Sequence, residues 1–367
     1  MVDAELVQRA KLLLDRLCEN PRYAGSAEET RARQLCREEL ERAGFECIER
    51  SFEFSEWPAK WGPPLSAILQ AATIIVVART ALIRGPLAAL LAGAVLVGAL
   101  FFVDAYAKRR GIKDFPAARA RSVNLQARRG TPRVWLVAHL DSKSQTIPML
   151  IRIAGSIALA LVMTLTLVVL LLSLLGAERI QTLWPALQVA AIIAALPGVT
   201  CFVTNHSTGA VDNASGVVAA ILASQSPSSP RDLGVLITSG EELGLAGARA
   251  WASTAPREIQ VLNSDTLDDR GNWRCMYSGA RPQQITRTAR FVADQQGARL
   301  RVGRLIPGIL ADNMAFSDKG IPAVTLSRGT LSTLARVHTR RDNSSVLTGR
   351  GSAEGSVLLS ALAKELV

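Results

Sequence analysis

The sequence predicts an α/β fold, a three-layer, mostly parallel (mixed) sheet flanked by helices, plus a four-helix transmembrane insert. Three observations predict it. Strand-like and helix-like segments alternate from Ala210 onward, as in a parallel sheet covered by helices. Apolar residues make up 49% of the chain, and the excess collects in long runs instead of spreading evenly as in a globular core. Those runs come in two pairs, each pair joined by a short polar turn.

At the N-terminus, residues 3–19 carry apolar positions at helical spacing. Ser26 then opens a second helix with a Ser26/Glu29 capping box, and Gly44 closes it. Residues 45–54 (FECIERSFEF) read as a strand. Leu65–Ile83 and Pro86–Val103, joined across Arg84 and Gly85, predict a first transmembrane hairpin. Arg79 marks its first arm as short, or as a span whose guanidinium snorkels to the interface. Strand-like segments at 123–127 and 134–137 flank a turn at 129–132. Ile153–Ala177 and Leu183–Val203, the latter despite Pro197, predict a second hairpin, each arm able to cross a hydrocarbon core of about 30 Å. A buried core helix is the competing reading of the uninterrupted 153–177 run. Beyond it the sequence predicts helix 213–225, strand 233–238, helix 243–253, strand 259–263, a helix near 282–296 and strands near 299–304 and 322–326. The expected division is 1–60, the N-terminal part of the soluble domain; 61–105, the first hairpin; 106–147, strands with a His-x-Asp motif; 148–205, the second hairpin; and 206–367, the remainder.

The net charge is +11, with 42 Lys+Arg against 31 Asp+Glu. Much of the excess crowds one stretch: Lys108, Arg109, Arg110, Lys113, Arg119, Arg121, Arg128, Arg129 and Arg133, opposed there only by Asp114. Directly after an apolar run this reads as a juxtamembrane collar. No aromatic-interleaved basic motif accompanies it, so nucleic acid is not an expected partner. Cys18, Cys36, Cys47, Cys201 and Cys275 form no C-x-x-C pair and fit a reducing compartment. The opening MVDAELVQRAKLLLDRL lacks the pattern of a cleavable signal.

The chain has only three histidines. His139 and Asp141 follow the strand VWLV, at the carboxyl end where open α/β sheets build their sites. An imidazole there can ligate a metal while Asp141 orients its second nitrogen, though a hydrogen-bonded structural histidine satisfies the motif equally. Asp212 stands at a helix start, where N-capping is the simpler alternative. Glu241 and Glu242 lie between a strand and a helix, so that one carboxylate can bind a metal while its neighbour faces an attacking water. Asp265 ends a strand and His338 lies in a loop. Five ligands, one of them bridging, suit two zinc ions about 3.5–4 Å apart. His206 follows an apolar run immediately and reads as interfacial.

Six segments together resemble the two-zinc aminopeptidases of metallopeptidase family twenty-eight (clan MH). They are NPRYAGSAEE at 20–29, HLD at 139–141, VDNASG at 211–216, SGEELGLAGA at 239–248, NSD at 263–265, and the tail pair DNMAFSDKGIPAV and HTRRDN. The resemblance implies the zinc-exopeptidase (phosphorylase/hydrolase-like) fold, peptide substrates and two Zn2+. It implies that His139 and Asp265 hold one zinc, Glu242 and His338 the other, with Asp212 bridging. Glu241 would be the general base, and Asp141 would hold His139. Val211 and Asn313 depart from the residues common in relatives, which touches substrate preference. The 73 positions from His139 to Asp212 exceed the usual gap, and the second hairpin fills them. The same fold also carries carboxypeptidase and glutaminyl cyclase chemistry, the latter generally with one zinc. A non-catalytic membrane scaffold is the reading from another class.

Because His139 and Asp212 must meet, the chain between them crosses a membrane an even number of times. Lys60, Arg152 and the collar lie on one side against Arg84 and Arg179 on the other. The sequence thus predicts a multi-pass protein of the cell membrane with its catalytic domain and both termini in the cytoplasm. Its expected partners are peptide and lipid bilayer, and it carries no signal for oligomeric state.

Overall fold

The computed structural model describes residues 2–110, 117–306 and 308–367. The chain divides into two compact units. Met1–Phe54, Arg119–Ser144 and Thr204–Val367 form one; Ser55–Ala118 and Gln145–Val203 form the other.

The elements follow these segments. The first segment carries α1 (Ala4–Leu17), α2 (Ala27–Arg42) and β1 (Glu46–Ser55); the next, α3 (Trp57–Arg84) and α4 (Pro86–Arg110). Then come β2 (Arg119–Arg129), β3 (Val134–His139) and the short β4 (Ser144–Gln145). The fourth segment holds α5 (Met149–Leu174), α6 (Trp184–Val199) and the short β5 (Val203–Thr204). The last begins with α7 (Ser215–Gln225), β6 (Leu233–Thr238), α8 (Ala246–Ala252), β7 (Gln260–Leu267), β8 (Asn272–Tyr277) and α9 (Gln283–Gln295). It ends with β9 (Leu300–Arg304), α10 (Asn313–Ser317), β10 (Ala323–Gly329), α11 (Leu331–Arg336) and α12 (Arg350–Leu366).

In the first unit an eight-stranded sheet runs in the order β1-β2-β6-β3-β7-β10-β8-β9. Its centre, β6-β3-β7-β10, is parallel, while β2 pairs antiparallel with β6 and β8 antiparallel with β10. Every residue of β3 (VWLVAH) and β6 (LGVLIT) is buried, as expected for strands covered on both faces. Helices supply the cover. In α1, Ala10, Leu13, Leu14 and Leu17 make one apolar stripe, and Asp3 caps the helix by accepting from the Glu5 N–H. On α7 nearly every residue is buried, and Gly216 permits its close approach: a Cβ there would lie 2.4 Å from the Ser264 carbonyl oxygen. The fold is thus a mixed α/β fold with a mostly parallel central sheet flanked by helices.

The second unit is helical. Ile74, Val77, Ala78, Ala89, Leu159, Val162, Leu170, Trp184, Leu187 and Ala191 form its core. Small residues let the helices approach: a Cβ on Gly198 would stand 2.6 Å from the Ala67 Cβ, and one on Gly155 would stand 2.9 Å from Pro197. Its outside is apolar, with Leu91, Val95, Ile157, Leu161, Leu165 and Ile193 exposed. Three helices, Trp57–Arg84, Met149–Leu174 and Arg179–Val199, are long and apolar enough to cross a membrane by length and composition, whereas Pro86–Phe102 is shorter. Gly85 reverses the chain at φ +85°, and Pro86 starts α4.

Several expectations need correction. The basic stretch is partly a sheet feature: Arg119 pairs with Glu53 and Arg128 with Glu46, both at 2.9 Å, and Arg121 donates to Ser51 Oγ. Glu46, Ser51 and Glu53 lie on β1, so these arginines are matched across a strand pair, an opposition that counting acids along the chain misses. Lys113 and Asp114 lie outside the described residues. In the capping box Ser26 does accept from the Glu29 N–H, but the Glu29 carboxylate turns to the Gly25 N–H and Ser122 Oγ. Helix α8 starts at Ala246, because residues 240–245 form a turn held by N–H donation from Gly244 and Leu245 to the Glu241 carbonyl. Strand β7 runs two residues past Asp265. Strand β8 and helix α12 have no counterpart in the expected elements.

Candidate metal centre

The parallel strands set the site's floor. In register, His139 at the end of β3 stands beside Thr238 of β6, and Val137 stands beside Asn263 of β7. The carboxyl edge therefore presents His139, the turn after β6 with Glu241 and Glu242, and Asp265. Asp212 comes from the irregular segment before α7, with φ −120° and ψ 87°, so it is a loop residue and not a helix cap. His338 lies just after α11 in a left-handed conformation, φ +61°.

These six side chains converge. His139 Nε2 lies 3.2 Å from Asp212 Oδ1, 3.9 Å from Asp265 Oδ1 and 4.0 Å from Glu241 Oε2. His338 Nε2 lies 3.2 Å from Asp212 Oδ2 and 3.1 Å from Glu242 Oε1. Two ligand-type groups result, His139/Glu241/Asp265 and Asp212/Glu242/His338. The Asp212 carboxylate turns one oxygen to each histidine. His206 is exposed and belongs to neither group.

Asp141 is completely buried, and its carboxylate is not the nearest acceptor to His139. Its Oδ1 is 3.7 Å from His139 Nδ1, which instead meets the Asp141 backbone carbonyl at 3.0 Å. The Asp141 carboxylate accepts the N–H groups of Glu241 (3.2 Å) and Glu242 (3.1 Å), fixing the turn that carries both.

Four supporting residues carried no assigned role in the sequence. Asp342 accepts the N–H groups of Val211 (2.7 Å) and Asp212 (3.1 Å). Buried Arg22 donates to the carbonyls of Leu17, Leu140, Thr208 and Gly209, tying the N-terminal segment to the loop before Asp212. Asp312 accepts from Thr238 Oγ1 at 2.5 Å, and Lys143 Nζ lies 2.8 Å from Glu242 Oε2. Arg22, Asp312 and Asp342 fall inside the six resemblance segments, so position along the chain was their only signal.

The electrostatics follow from crowding. Burial, joined by the like charges of Glu242, Asp265 and Asp312, pushes the Glu241 carboxyl well above its ordinary range. Burial likewise raises Asp312 and Asp342, each to about 7. For the histidines burial acts downward, but the carboxylates outweigh it: Glu241 leads in raising His139, and Glu242 leads in raising His338 to about 9. Burial also opposes the Asp212 charge, yet the two imidazoles hold its carboxyl well below normal. Buried anions at this density call for cations. Among the described residues, His338 Nε2 and Glu242 Oε1, 3.1 Å apart, have no partner outside the cluster itself, as expected of ligand atoms turned toward a common metal position. Histidine nitrogens and carboxylate oxygens form a set suited to zinc.

Residues 123–354 match Peptidase family M28, which is more than half of the chain. The chain belongs to that family. Solved structures agree at the level of fold. A zinc aminopeptidase from Bacillus subtilis is 14% identical with a TM-score of 0.57, covering 98% of this M28 chain and 95% of its own. An aminopeptidase from Aneurinibacillus sp. strain AM-1 is 14% identical with a TM-score of 0.55, covering 98% and 93%. A glutaminyl cyclase from Fimbriiglobus ruber is 13% identical with a TM-score of 0.52, covering 98% and 95%. No curated protein sequence matches this M28 chain.

Proposed function

We propose that the protein is a membrane-anchored aminopeptidase that removes N-terminal residues from peptides with the aid of two zinc ions. The observation that carries this reading is Asp212, whose two carboxylate oxygens each stand 3.2 Å from the Nε2 of a different histidine. His139 and Asp265 would hold one ion, Glu242 and His338 the other, and Asp212 would contribute to both. When bound, the ions supply Lewis-acid polarisation of the scissile carbonyl and activation of water.

The chain's own residues do the rest. Glu241 is the general base: it lies in the site beside His139 without being needed as a ligand, placed to accept a proton and pass it to the leaving amine. The Asp141 carboxylate holds the backbone of Glu241 and Glu242, so base and ligand move as one element.

The helical unit anchors the protein as a four-helix insert, with α4 as the fourth span. Each inserted segment leaves and returns at one place in the catalytic unit. Strands β1 and β2 are neighbours in the sheet, and Ser144 Oγ lies 2.7 Å from Thr204 Oγ1. An even number of crossings per segment follows. With Arg119, Arg121 and Arg128 engaged on β1 and Lys60 paired with Glu56, the charge argument for a cytoplasmic site rests on Lys108, Arg109, Arg110 and Arg152 against Arg84 and Arg179.

The test is hydrolysis of aminoacyl-anilides and short peptides by full-length protein in detergent with zinc, beside Glu241→Gln. Loss of a general base costs about 10²–10⁴-fold in rate. Equal rates for the two proteins would refute the mechanism. Release of ammonia from peptides beginning with Gln, without release of an amino acid, would favour cyclase chemistry.

A further inference from the structure

The two ligand groups differ in one respect that the bridging arrangement does not require. Lys143, four residues after His139 and close to the end of the same chain segment, places its Nζ 2.8 Å from Glu242 Oε2 and 3.0 Å from the Glu242 backbone carbonyl. Its side chain is 13% exposed and that of Glu242 is 5% exposed, so water screens the pair little. Lys143 thus engages one Glu242 oxygen and leaves Oε1, the oxygen 3.1 Å from His338 Nε2, facing the centre. In the group of His139, Glu241 and Asp265, the cationic partners within ion-pair distance, among the described residues, are histidine nitrogens.

Resting on the two-zinc reading, we infer that Lys143 makes the His338–Glu242 site the weaker, exchangeable one of the pair. It does so by limiting Glu242 to one oxygen and by setting a fixed positive charge beside the incoming ion. The His139–Asp265 site, lacking such a lysine, fills first. Removing the ammonium frees the second oxygen while Asp141 still holds the Glu242 N–H at 3.1 Å, so the ligand keeps its place. Lys143 is a positioning residue: it acts through Glu242.

The experiment is a chelator-competition titration of zinc into metal-free full-length protein in detergent, with Lys143→Met and Lys143→Arg run in parallel. Wild-type protein is expected to bind two ions with stepwise constants separated by about tenfold or more, ~1.4 kcal/mol. Lys143→Met should tighten the second step about tenfold and close most of the gap. Lys143→Arg, which keeps the charge, should behave as wild type and guard against loss of packing as the cause. Two unchanged steps in Lys143→Met, or a weakened second step, would overturn the inference while leaving the metal pair intact. Fewer than two ions in wild type would overturn the metal pair, and this inference with it.

Discussion

Asp141→Asn separates two roles that a His-x-Asp motif leaves merged. The Asp141 carboxylate accepts the N–H groups of Glu241 and Glu242 at 3.2 and 3.1 Å, whereas His139 Nδ1 is met by the Asp141 backbone carbonyl at 3.0 Å. An amide has one acceptor oxygen, so the variant keeps one of the two bonds and sets an NH2 donor against the other N–H. A buried hydrogen bond to a charged group contributes about 1.5–3 kcal/mol. At roughly 2–4 °C per kcal/mol for a unit of this size, the expected fall in Tm is roughly 3–12 °C. Because the turn carries both the base and a ligand, kcat/KM should fall about 10–100-fold, the usual cost of losing a group that orients a metal ligand. Binding of the first zinc, through His139, should be nearly unchanged, since the carbonyl that holds the imidazole remains. Differential scanning fluorimetry and a zinc titration read both quantities on one preparation. Normal Tm together with loss of the first zinc would refute the reasoning and return Asp141 to the role of holding His139.

Three further expectations can be checked. His338 is raised to about 9, so in metal-free protein it contributes stability that is fully present below its ordinary value near 6.5 and is lost as pH rises through about 9. Zinc must displace that proton; calorimetry in buffers of different ionisation enthalpy should show proton release at pH 7–8 and affinity falling as pH is lowered. Gly247→Ala should unfold or strongly destabilise the protein, because a Cβ there lies 2.3 Å from both the Ser239 carbonyl oxygen and Asn124 Oδ1. Gly44→Ala meets nothing within 4 Å and should cost only the left-handed backbone preference, about 1–2 kcal/mol; similar Tm values for the two would contradict this. Thr182→Cys, in the turn between α5 and α6, should react with an impermeant thiol reagent on intact cells, and Ser228→Cys only after permeabilisation. The reverse pattern would invert the orientation.

What the sequence made legible follows the kind of signal each element carries. β3 and β6 are continuous apolar runs, and α1 and α9 are amphipathic, so single-chain periodicity was enough. β8 (NWRCMY) is short and mixed, with its character set by antiparallel pairing to β10, information absent from its own six residues. The ligand-type residues were legible because they fall at strand ends and in loops with few other histidines to confuse them. Their support was not. Asp342 acts on backbone N–H groups 130 and 131 positions away, and Lys143 on a residue 99 positions away; such pairings exist only after folding.

The same logic explains how a catalytic unit tolerates 64 residues at one point (Ser55–Ala118) and 59 at another (Gln145–Val203). Loop-closure entropy grows only logarithmically with length, about 0.6 kcal/mol per doubling, so the cost depends mainly on whether the ends are already fixed. Here they are. The first insert begins and ends on neighbouring strands, and the second is pinned by the Ser144–Thr204 contact on one side of it and by the carbonyls of Thr208 and Gly209, held by Arg22, a few residues beyond. Arg22 also grips Leu140, so one buried guanidinium spans the second insert and connects the strand end carrying His139 to the loop carrying Asp212. Replacing Arg22 should therefore loosen the two halves of the centre together, and a zinc titration of Arg22→Met should show affinity falling at both sites.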